Sequence, residues 1–92
     1  MHTENVKMDL GEALIHLQDL VADLRDGKIQ SCDEPTLAVQ LKEIMEHIHH
    51  AWNCKDMTPE QIMAHSQEEY ERLCYTVPNF FGNYVIGEFA VC

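Results

Sequence analysis

The chain predicts an all-α domain, a small three-helix bundle, and three observations predict it. Apolar residues recur at helical spacing through three long segments. Caps and breakers stand between those segments: Gly27 after the first, Asp33 and Pro35 before the second, Thr58 and Pro59 before the third. The break Lys55-Asp56-Met57 is so short that the second and third helices must turn back on one another as a hairpin.

The first helix is expected over about residues 6–26. Leu10, Leu14, Leu17, Val21 and Leu24 are spaced 4, 3, 4 and 3 apart, a helical seam that Ala13 and Leu20 widen on one side. Arg25 suits the last turn, and Gly27 suits a left-handed stop. Gly11 inside this helix should cost up to about 1 kcal/mol relative to alanine, which a close helix approach would explain.

The second helix is expected over about residues 34–54, with Asp33 as its N-cap and Glu34 and Pro35 in the first turn. Leu37, Leu41, Ile44, Ile48 and Trp52 form its core face. The third is expected as one helix over about 59–75, opened by the capping-box pattern of Thr58, Pro59 and Gln61 and continued through Ile62, Ser66, Tyr70 and Leu73. Residues 76–92 change character. Pro78, Gly82 and Gly87 interrupt an apolar stretch containing Phe80, Phe81, Tyr84, Val85, Ile86 and Phe89, so an irregular aromatic tail is expected to lie across the bundle or dock on another chain.

Ninety-two residues form one small domain. A chain of this size buries only about 60–65 % of its unfolded surface, which favours a homodimer. Sixteen acidic residues against six dispersed basic ones give a net charge of −10, which argues against nucleic acid and against an anionic membrane surface. No apolar run approaches the roughly 20 residues of a membrane span, and the first residues lack the layout of a signal peptide. A cytoplasmic protein with reduced thiols is expected, since the four cysteines form no C-x-x-C pair.

The chemistry concentrates on the second helix. Glu43, His47, His50 and Cys54, spaced 4, 3 and 4, form a ridge along one flank of its core face. Imidazole and thiolate suit zinc or another transition metal, and an i, i+4 pair can hold one ion. One helix does not close a coordination sphere, so His16 and His65 on the neighbouring helices are the further candidate ligands. Glu46 and His49 point away from the ridge.

Glu46-His47-Ile48-His49 spells a single E-x-x-H, where di-iron bundles use two together with carboxylates from several helices. Acidic residues such as Asp19, Asp23, Glu43 and Glu46 raise a second chemistry, Mg²⁺-dependent nucleotide hydrolysis, though the paired-acid pattern is only partial. No nucleophile elbow and no glycine-rich phosphate loop is present, and a helical Cys54–His50 pair would lack oxyanion donors. The sequence therefore favours a non-enzymatic interaction or regulatory module acting through a helix face and the tail, with transition-metal binding as the alternative.

Overall fold

The structure, a computed structural model, describes residues 1–79. It contains four helices and, among the described residues, no strand: α1 (Thr3–Arg25), α2 (Glu34–Asn53), α3 (Pro59–Met63) and α4 (Gln67–Tyr75). All-α is thus the fold class. Helices α1 and α2 run antiparallel and supply most of the contact, and α4 packs on α2 from another side. Of the expected tail, residues 76–79 are not helical and 80–92 lie outside the described residues.

Helix α1 begins earlier than its apolar seam, because its first turn is anchored from outside. The His2 amide donates to the Lys55 carbonyl at 2.6 Å, and the buried Asn5 amide group donates to the Met57 carbonyl at 2.8 Å. Both bonds fasten the start of α1 to the turn that follows α2. At the other end, Gly27 takes φ +74°, and the amides of Asp26, Gly27 and Lys28 return to the last carbonyls of α1. Only glycine enters that region without a steric penalty. Asp33 occupies the N-cap position of α2, yet its carboxylate accepts from the Gln30 amide at 3.0 Å instead of capping α2.

The third expected helix is two. Thr58 and Gln61 form the full capping box that opens α3, with the Gln61 side chain accepting from the Thr58 amide at 2.8 Å. The helix stops at Met63, and Ser66 caps a new one, its hydroxyl accepting from the Glu69 amide at 3.1 Å. Serine favours this role because its short side chain bonds the backbone better at a cap than inside a helix.

Helix α4 docks through its exposed C-terminal carbonyls. The Asn53 side chain donates to Leu73 O at 2.7 Å and to Thr76 O at 2.9 Å, and His49 Nδ1 donates to Cys74 O at 2.8 Å. These are groups that a helix end leaves without internal partners. Leu73 and Cys74 are buried beneath them, next to Cys54.

The core differs from the one the seam predicts. Ala13, Leu20, Ile29 and Ile44 form the buried cluster, with Leu37 and Ile48 packed against it. Leu10, Leu14, Leu17, Val21 and Leu24 are instead between 44 % and 54 % exposed. The residues that widened the stripe are the ones α1 turns toward α2, and the seam itself lies to one side. On α2, Ile44 and Ala51 are buried, while Leu41 and Met45 are exposed.

Gly11 also departs from expectation. A Cβ there would meet nothing within 4 Å, so no close helix approach accounts for it. Gly11→Ala is expected to raise the unfolding free energy by about 0.5–1 kcal/mol. Gly27→Ala should lower it by about 1–2 kcal/mol, the cost of left-handed φ for a residue with a Cβ. Urea unfolding followed by circular dichroism measures both, and equal effects at the two positions would contradict this assignment.

Candidate metal centre at the α1–α2 interface

Antiparallel pairing sets a repeating register between α1 and α2. Asp9, Glu12 and His16 step forward along α1 by three and four residues, while His50, His47 and Glu43 step back along α2 by the same intervals. The Asp9 carboxylate accepts from His50 Nδ1 at 2.6 Å, and its other oxygen lies 4.0 Å from His47 Nδ1. Glu12, His16 and His47 bring one ligand atom each to within 4.8 Å of one another. His16 Nδ1 lies 3.7 Å from a Glu43 carboxylate oxygen, and the His16 and His47 rings stack at 5.3 Å with 17° between their planes.

Half of the expected ridge is therefore at this centre. His47 and Glu43 lie in the cluster, and His16, one of the two further candidate ligands, meets them there from α1. Glu12 was missed. Its signal was the repeat of one spacing, Glu12-x₃-His16 on α1 and Glu43-x₃-His47 on α2, which places a carboxylate and an imidazole one turn apart on each helix.

His50, Cys54 and His65 stand elsewhere. His50 is buried, held by Asp9 on one side and by the Tyr70 ring at 5.2 Å on the other. Its Nε2 is buried without a hydrogen-bond partner, a cost of about 1–3 kcal/mol. Cys54 is 0 % exposed, and burial, with the nearby Asp9 charge adding to it, pushes its thiol up to about 11. That thiol stays protonated near neutral pH, which does not suit a nucleophile. Burial raises the Cys74 thiol in the same direction. Burial also pushes the Tyr70 hydroxyl up to about 12, although the residue as a whole is 41 % exposed. His65 lies in the link between α3 and α4 with Nδ1 buried and unpaired.

The carboxylates expected to hold Mg²⁺ are divided. Glu43 lines a polar groove with His16, Asp19 and Asp23. Glu46 forms an ion pair with Lys42, whose ammonium lies against Tyr75 on the side where α4 packs. His49 is likewise committed to α4.

The opposite face of the α1–α2 pair is apolar. Helical geometry turns the Leu10–Leu24 seam and the α2 residues Leu41, Met45, Ile48 and Trp52 to the same side of the two helices. A hollow lined by Val6, Leu10, Ile48, Ala51 and Trp52 opens on that side, with Lys55 resting over the Trp52 ring at 4.5 Å. No helix among the described residues is long and apolar enough to cross a membrane. Comparison with protein-family models, with curated proteins and with solved structures finds no match for this chain.

Thiol reactivity tests the burial. In a Cys92→Ser background, Cys32 should react at once with a thiol reagent at neutral pH, whereas Cys54 and Cys74 should react only as the chain opens. A native thiol pKa raised from 9.0 to about 11 means that the folded state holds its proton longer than the unfolded one. This contribution to stability is whole below pH 9 and falls as the pH rises toward 11. Fast labelling of Cys54 at neutral pH would contradict it.

Proposed function

We propose that this chain is a small, cytoplasmic, non-enzymatic interaction module that works as a homodimer through the apolar face of α1 and α2. The observation that carries the reading is the exposed seam Leu10, Leu14, Leu17, Val21 and Leu24. Its 4, 3, 4, 3 spacing is the a/d repeat by which helices pack knobs into holes. Residues with that repeat ordinarily face another helix, and here α2 takes the adjoining face of α1 instead.

A second copy is the occupant that the surface chemistry favours. Two antiparallel helices with one apolar side make half of a four-helix bundle, and a two-fold axis brings the same patch against itself. Self-pairing must also avoid self-repulsion in a chain of net charge −10. The five seam positions carry no charge, while Glu12, Glu43, Asp19 and Asp23 lie toward the polar side. The aromatic tail that the sequence expects beyond Asn79 lies outside the described residues.

Light scattering coupled to size exclusion at tens of micromolar should give about twice the 10.6 kDa chain mass. Leu17→Glu, at a position already 44 % exposed, should leave the helical signal in place and return the mass to one chain. A wild-type protein that stays monomeric at that concentration would overturn the proposal.

A further inference from the structure

The geometry points to a divalent transition-metal site of the zinc class held by His16 and His47, with carboxylate ligation from Glu12 and Glu43. This goes beyond the homodimer reading and is independent of it, since the cluster lies on the other side of the α1–α2 pair from the apolar face.

Four features of the cluster argue for an ion. The first is proximity: the donor atoms of Glu12, His16 and His47 already lie within 4.8 Å of one another. Ligands on a tetrahedral zinc ion, with bonds of about 2.0–2.1 Å, sit roughly 3.3 Å apart. The remaining closure is within the reach of exposed carboxylate side chains. The second is donor type, because two imidazoles with carboxylates suit zinc and its neighbours, whereas an all-oxygen set would suit Mg²⁺ or Ca²⁺.

The third is the doubled i, i+4 arrangement. Glu12 and His16 flank one turn of α1, Glu43 and His47 one turn of α2, and the antiparallel register sets each histidine against the other helix's glutamate. A single helix cannot enclose an ion, but two facing pairs supply up to four ligands. The fourth is support around the ligands. Asp9 lies 4.0 Å from His47 Nδ1 and is itself fixed by His50, placing a carboxylate where it can orient a ligating imidazole through the ring's other nitrogen.

Cys54 takes no part. It is not among the residues whose donor atoms converge, which leaves a nitrogen and oxygen set with its own spectroscopic signature. Binding also has a structural consequence, because one ion would join α1 to α2 midway along both helices and favour the folded state.

The test titrates ZnCl₂ into the full-length, tag-free chain by calorimetry in a buffer that does not chelate. One ion per chain is expected, and Co²⁺ in its place should give visible bands of a nitrogen and oxygen site with no thiolate charge-transfer band. Losing an outer-shell partner alone costs roughly 10–100-fold in metal affinity, so His16→Ala or His47→Ala should weaken binding by about a hundredfold or more. Glu12→Gln and Glu43→Gln, both at exposed positions, leave the core untouched and should each cost about tenfold. His2→Ala, at the exposed N-terminus, should change nothing.

Circular dichroism on each variant separates loss of ligand from loss of fold. No binding of zinc, nickel, copper or cobalt by the folded wild type would overturn the inference. So would affinity retained in the His16→Ala/His47→Ala double variant, or a thiolate band with Co²⁺. The light-scattering mass of the same samples reports on the dimer separately, so either reading can fail alone.

Discussion

The fold turns on the register between α1 and α2, and the bond between Asp9 and His50 fixes it. The bond is short, with His50 buried and Asp9 half-buried, and the net stability from such a bond is modest because both groups give up water to form it. Its value is in specifying one alignment. If α1 slid by one turn, the Asp9 carboxylate would leave His50, and Glu12 and His16 would face different partners. Asn5 bonded to Met57 and His2 bonded to Lys55 hold the same alignment from the end of the pair. From this register follow the cluster on one side of the helices and the bare leucines on the other.

Much of the fold was legible in the sequence because its signals are local. Gly27 ends α1 with a positive φ, Pro35 sits in the first turn of α2, and Thr58 with Gln61 opens α3. The rotation of α1 about its own axis was not legible. Its spacing offers a seam of five large residues and, beside it, Ala13 and Leu20; periodicity names a stripe without naming which part of it meets a neighbour. The smaller pair won, since Ala13 lets α2 approach while the carboxylate and imidazole side chains beside it find partners across the gap. The break at Ser66 was legible in principle. Ser66 followed by Glu69 is a cap signal, masked because Ser66 also falls in step with Ile62 and Tyr70.

The cluster shows the same division. Glu43 and His47 were visible as neighbours on one helix, but which of the surrounding groups would face them depends on a partner helix that no local pattern describes. The ridge of four therefore separates according to what packs on α2. Glu43 and His47 face α1. His50 lies between α1 and α4, and Cys54 is sealed beside Cys74. Histidine enrichment on α2 thus reflects three different jobs: a ligand-like position at His47, a register pin at His50 and a backbone clamp at His49.

That clamp has a consequence for how this chain can vary. Asn53 and His49 grip main-chain oxygens of Leu73, Cys74 and Thr76, which every amino acid presents alike. The attachment of α4 is therefore nearly blind to which side chains its last turn carries, apart from the buried Leu73 and Cys74 and the Tyr75 that meets Lys42. The outward residues of that helix are free to drift or be redesigned without unseating it, whereas Asn53 and His49, unremarkable polar positions by composition, have little freedom of their own.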